Sequence, residues 1–209
     1  MKKLLTILTV SSFALFAAPQ SYANSGNGTD HGYYWGFWSN TGTMTMTFPY
    51  AGQWAGNWNL SWTGVGDGGG GKGWNPGADN RNVNYSCQNT SGFNVFGAYG
   101  WAPYPTYEMY INDRMVNTSR GGTTYKGQVN SDGGTYNVYV GTQGAASGGG
   151  KQYASNRTSD TGTGNKTITS QNHFNFWNSH GMTHGTWQAW QNNVESWSYS
   201  SGNVNSTVW

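Results

Sequence analysis

Glu108 and Glu195 are the only glutamates in this chain, and each lies in a stretch whose side chains alternate in character. From Pro105 to Asn112, the residues Tyr107, Met109 and Ile111 form one apolar face, which leaves Thr106, Glu108, Tyr110 and Asn112 on the other. From Trp187 to Tyr199 the phase that carries Glu195 also carries Gln191, Asn193, Trp197 and Tyr199. A face with one carboxylate among phenols, indoles and amides is polar without being strongly charged. It suits a neutral, polyhydroxylated ligand, because amides and phenols hydrogen-bond hydroxyls while aromatic rings stack on the C–H faces of sugars. Two carboxylates in one cleft can cleave a glycosidic bond, one attacking the anomeric carbon and the other protonating the departing oxygen. A separation of about 5–5.5 Å gives retention through a covalent intermediate, and about 6.5–9.5 Å gives inversion through water. An ionised nucleophile beside the acid keeps the acid protonated near neutrality. Spacing alone also fits two solvated strand glutamates.

The elements that position these groups follow from composition. The 209 residues include 33 Gly, 12 Trp, 14 Tyr and 8 Phe, with 10 Lys and Arg against 8 Asp and Glu. Such a chain lacks the Ala, Leu and charged runs of helix bundles, and its aromatic content argues against disorder. Period-2 segments recur: Met44, Met46 and Phe48; Trp58, Leu60 and Trp62; Tyr136, Val138 and Val140. Turn signals separate them at Ala51-Gly52, Asn75-Pro76-Gly77, Ser91-Gly92, Gly121-Gly122 and Asp132-Gly133-Gly134. The pattern predicts one all-β domain, a sandwich of two antiparallel sheets. One short helix is predicted over Asn172 to Met182, where Phe174 and Trp177 are three apart and Gly181 follows. The glycine stretches 68–71 and 141–150 read as loops.

Residues 1–23 read as a signal peptide: Lys2 and Lys3, an apolar run from Leu4 to Ala18, then Ser21-Tyr22-Ala23 before the cleavage point. The remaining 24–209 would form a secreted, extracellular single domain with balanced charge, which gives nucleic acid or an anionic membrane no field to follow. The lone Cys87 forms no internal disulfide and reads as a small strand residue. His180 and His184 have a spacing that could hold a metal on a helix, but Gly181 interrupts it and no third ligand is near.

Several motifs then occur in order: GKGWNPG at 71–77, YGW at 99–101, Pro105-x-x-Glu108-x-Tyr110, TYKGQVNSDGGTYNVY at 124–139, NHF at 172–174, and the Glu195 segment with SSG and a terminal TVW. Together they resemble glycoside hydrolase family 11, the endo-1,4-β-xylanases, over roughly residues 30 to 209. The resemblance implies a β-jelly roll with a deep cleft on its concave sheet and xylan as substrate; no cofactor or metal is expected, and a monomer is the default for a secreted single domain with a polymer-sized cleft. It implies Glu108 as nucleophile and Glu195 as acid/base, with Tyr99 and Tyr110 bonding around the nucleophile and its sugar. It further implies Trp38 as a stacking surface for xylose and Gln152 as a cleft glutamine. Asp67 falls where the family places the Asp or Asn neighbour of the acid/base, and Asp there implies an acid-shifted optimum.

The chain also departs from the family. Gln143 stands where an arginine is usual, the thumb loop Gly144 to Lys151 is short and glycine-rich, and Ala154 and Ala189 replace a tryptophan and a cleft tyrosine. Trp187, Trp190 and Trp197 are candidates to replace the lost stacking surface. Two other readings therefore stay open: a non-catalytic xylan-binding protein on this scaffold, and a jelly-roll hydrolase of another β-1,4-glucan.

Overall fold

The structure is a computed structural model, and it describes residues 20–49, 55–103, 106–116, 124–142 and 150–209. The turn signals at Ala51-Gly52 and Gly121-Gly122, Gln143, residues 144–149 of the thumb and all but the end of the expected leader lie outside the described residues. Among the described residues, thirteen strands join one hydrogen-bonded network. They are β1 (Gln20–Ala23), β2 (Ser25–Asp30), β3 (Tyr33–Ser39), β4 (Thr43–Phe48), β5 (Asn57–Trp74), β6 (Val83–Ser91) and β7 (Val95–Pro103). They continue with β8 (Thr106–Met115), β9 (Thr124–Ser131), β10 (Gly134–Thr142), β11 (Lys151–Arg157), β12 (Gly164–Ile168) and β13 (Ala189–Val208).

Two long strands make this network into the two layers of a jelly roll. The first part of β5 pairs with β4 and its second part with β3, while β13 pairs first with β7 and then with β6. Each strand therefore bends from one layer into the other, and the ladder between them slips where they bend, between Trp197 and Gly202. The concave layer runs β2-β3-β5-β13-β7-β8-β11-β10-β9, and the other holds β1, β4, β6 and β12 with the remaining parts of β5 and β13. The pairings are antiparallel except for β8 with β11, which run parallel. That exception to the expected antiparallel order arises because β9 and β10 intervene in sequence between the two strands. β1 takes in the last four residues of the expected leader and pairs with β4 at the edge of its layer.

The alternating segments fold as their pattern demands. Met44, Met46, Trp58, Leu60, Trp62, Tyr136 and Val138 are buried between the layers, and Cys87 is buried on β6. Beneath the cleft floor, Lys72 is wholly buried and its ammonium donates to Asp30 at 2.5 Å and to the carbonyls of Ala55 at 2.5 Å and Asn57 at 3.3 Å.

Two further expectations are corrected. Gly68 to Gly71 lie within strand β5, not a loop, and the expected loop 141–150 begins later, since Gly141 and Thr142 end strand β10. A Cβ at Gly71 would lie 1.9 Å from the Asn192 carbonyl, and one at Gly70 would lie 2.3 Å from Phe37 Cβ, so these glycines mark close approach to β13 and β3. The helix α1 spans Ser170–Ser179, starting two residues before the predicted position. Its start is set by tertiary bonds: Asp132 accepts from the Thr169 N–H at 2.9 Å and hydroxyl at 2.6 Å, and the Trp190 indole donates to Ser170 at 3.0 Å.

His173, on the buried side of α1, packs edge-on against Tyr136 with ring centres 4.6 Å apart. Burial pushes its pKa down to about 4. Between that value and about 6.5 the unfolded chain takes up a proton that the folded one refuses, so stability falls with decreasing pH. The expected loss between pH 6.5 and 4 from this residue is about 3 kcal/mol. Denaturant titrations of His173→Gln across that range are expected to show a correspondingly flatter pH dependence; an unchanged slope refutes the assignment.

Candidate active site

Strand register brings the sequence-predicted residues onto the concave face. Gln152, Glu108, Trp101 and Ala189 lie in one row across β11, β8, β7 and β13. The next row holds Ala154, Tyr110, Tyr99, Gln191, Gly73 and Tyr34. Further along β13, Glu195 is level with Gly69 and Trp38. One cleft is lined by Glu108 and Glu195 together with Tyr34, Trp38, Tyr99, Trp101, Tyr110 and Gln191.

The Tyr99 hydroxyl donates to Glu108 Oε1 at 3.3 Å, and the Gln152 amide donates to Oε2 at 3.2 Å. Both oxygens of this carboxylate are thus held by neutral donors from the strands on either side, β7 and β11. Burial first, then the charges of Glu108 and Glu195, push the Tyr99 hydroxyl well above its ordinary pKa. It therefore stays protonated and able to donate. The tilted rings of Tyr99 and Tyr110 lie 5.0 Å apart and line the cleft beside Glu108.

Gly69 separates Trp38 from Glu195 in their row, and a Cβ there would sit 2.6 Å from the Val194 carbonyl and 3.2 Å from Glu195 Cβ. Together with Gly71 and Gly73 it leaves the floor of the cleft bare between the two walls. Asp67 is paired with Trp197, one step along the same face from the Gly69–Glu195 pair, which makes it the diagonal neighbour of Glu195. It lies in strand β5, with its backbone N–H donating to Asn40 Oδ1 at 2.7 Å.

Some readings change. Trp190 is fully buried and Trp187 packs against Phe174, His184 and Trp190 while donating to Asp79 at 2.7 Å. Neither supplies a cleft surface; of the three candidates only Trp197 shares the face of Glu195. Ala189 lines the cleft, whereas Ala154 is buried beside Tyr110. The face ends at Trp197, because Ser198 and Tyr199 have positive φ values (66° and 58°) and break the alternation. Tyr34 and Trp101 line the cleft and were not singled out by the sequence reading. Their signal was present: Tyr34 is four residues from Trp38 and Trp101 two from Tyr99, both in phase. His180 closes the C-terminal end of α1, and His184 is bonded to Asp79 at 3.0 Å.

Paired carboxylates in a neutral, aromatic-walled cleft on a jelly roll define the class of protein as a glycoside hydrolase. Comparison with known proteins gives the family: a sequence model of the glycosyl hydrolases family 11 matches residues 30–207, and the chain belongs to that family. Among curated relatives, the probable endo-1,4-beta-xylanase B of Aspergillus clavatus is 38% identical over 200 residues, covering 91% of this chain and 86% of the relative. Endo-1,4-beta-xylanase B of Penicillium oxalicum is 36% identical over 180 residues, covering 81% of this chain and 56% of the relative. The bifunctional xylanase/xylan deacetylase of Cellvibrio japonicus is 34% identical over 191 residues, or 82% of this chain and 28% of its own length. Two of these three relatives are thus much longer than the part matched by this chain.

Proposed function

We propose that the protein is a retaining endo-1,4-β-xylanase that hydrolyses internal bonds of xylan. The observation that carries this reading is the placement of Glu108 and Glu195 in one cleft walled by Tyr34, Trp38, Tyr99 and Trp101. The names of the family relatives support xylan as the substrate. Glu108, its oxygens oriented by Tyr99 and Gln152, attacks the anomeric carbon as Glu195 gives its proton to the departing glycosidic oxygen. The resulting glycosyl ester is released by a water molecule, which loses a proton to Glu195 as its oxygen bonds to the anomeric carbon and Glu108 leaves. Tyr110 and Trp38 hold the sugars on either side of the floor. In this reading the protein acts as a monomer and is exported after removal of residues 1–23, a step that would also remove β1. Among the described residues no helix is long and apolar enough to cross a membrane.

The test is the initial rate of reducing-sugar release from soluble xylan, carboxymethylcellulose and barley glucan. Release confined to xylan supports the reading. Faster release from either glucan would make the protein a hydrolase of that polymer, and no release from any would leave a binding protein. Asp67 acts through the acid/base as its diagonal neighbour, since a proton shared with Glu195 keeps the active protonation state populated to lower pH. In the same assay Asp67→Asn is expected to move the optimum up by about one pH unit. A pH profile identical to wild type would remove Asp67 from the mechanism.

A further inference from the structure

The concave face does not stop at the catalytic pair. The row that carries Tyr99 and Tyr110 continues through Ala154 on β11 to Tyr139 on β10 and Tyr125 on β9. The two outer rings are tilted against one another with centroids 5.6 Å apart, and Tyr125 is 53% exposed. In the adjoining row Gln128 donates to Asn137 at 3.0 Å, and beyond it Thr135 donates to Asn130 at 2.9 Å. At roughly 4.8 Å per strand, Tyr139 and Tyr125 lie two and three strands from Tyr110, about 10 and 14 Å away.

We propose that Tyr125 and Tyr139 form an outlying stacking platform for the polysaccharide, engaged only by chains long enough to run beyond the catalytic cleft. The inference rests on the xylanase reading and extends it to a surface more than one sugar ring away from the reacting bond. Three observations choose this occupant. The platform is continuous, on one face and in one row, with the cleft that takes the substrate. Its polar groups are neutral amides and hydroxyls, with Lys126 at the β9 irregularity the charged neighbour on that strand. Its two rings offer flat C–H-binding surface in the manner of the cleft itself.

An aromatic contact of this kind contributes a modest, separable part of the affinity. In a Glu108→Gln background, where substrate is held without turnover, binding of linear xylo-oligosaccharides from the disaccharide to the octasaccharide is measured by calorimetry. Tyr125→Ala is expected to raise Kd for the longest oligosaccharides by about 2- to 10-fold. The disaccharide Kd is expected to stay within about twofold, and Tyr125→Phe to bind every length as Glu108→Gln does. The exposed position of Tyr125 makes misfolding a minor risk, and unchanged thermal melting of the variant checks it. Equal weakening at every length would show that the pair acts on the shape of the cleft, and unchanged binding at every length would show that it touches no sugar; both overturn the platform. Failure of Glu108→Gln to bind any xylo-oligosaccharide would overturn the xylanase reading and the platform with it, and is distinguishable from either.

Discussion

Glu108→Gln is expected to lower kcat on xylan by about 10⁴-fold or more, while the protein remains folded and still binds substrate. The amide keeps the shape of the carboxylate but cannot form the ester; its oxygen still accepts from one of Tyr99 and Gln152, while the other must turn to accept from the amide N–H. Glu195→Gln is expected to lose about 10²- to 10⁴-fold on xylan, because an alkoxide would then leave unprotonated. The two variants part company on aryl β-xylosides with acidic phenols. Such phenols leave without a proton, so the burst of phenol in the first turnover survives in Glu195→Gln and vanishes in Glu108→Gln. A burst retained by Glu108→Gln and lost by Glu195→Gln would exchange the two roles, and normal turnover by either variant would remove it from the chemistry.

The second large effect is on stability. Lys72→Met is expected to cost about 3–5 kcal/mol, since it removes the buried ammonium from two carbonyls and leaves the Asp30 carboxylate with His31, at 2.7 Å, in place of the ion pair. For a chain of this size that lowers Tm by roughly 6–20 °C. Desolvation lowers the Lys72 pKa and the Asp30 carboxylate works against that fall. The ammonium is also stacked over Phe48, at 4.7 Å from the ring centre. Adding Asp30→Asn to Lys72→Met is expected to restore part of the loss, because the carboxylate that lost its ammonium is then neutral. Scanning calorimetry reads all three proteins, and a Lys72→Met Tm within a degree or so of wild type would mean that the buried pair contributes little.

Much of this cleft was legible in the residues. Glu108 and Tyr110, or Gln191, Asn193 and Glu195, share a face because side chains in a strand alternate, and no tertiary information is needed to see it. What local pattern hid was the role of neighbours. Gly68 to Gly71 look like a loop because glycine is poor in isolated strands, yet here the strand needs glycine to lie close to β3 and β13. Trp187 and Trp190 have the composition of a sugar-binding surface, but Phe174 and α1 claim them for the interior. The start of α1 likewise depends on Asp132, far away in sequence. The roles proposed for individual residues come from the family motifs, since alternation alone could not assign them.

The sharing of β5 and β13 between the layers also dictates when this site can come into being. Asn57 and Thr207 bond across 150 residues of chain, and Glu195 faces Gly69 across the same ladder. Synthesis must therefore have passed both β5 and the far end of β13 before the two long strands can pair, and until then neither layer has its central strands. Closing so distant a pairing carries a high loop entropy and places folding among the slow, non-local β topologies, on the millisecond-to-second scale. The cleft is complete only once β13 has paired, so a chain lacking β13, and with it Glu195, is expected to release no sugar from xylan.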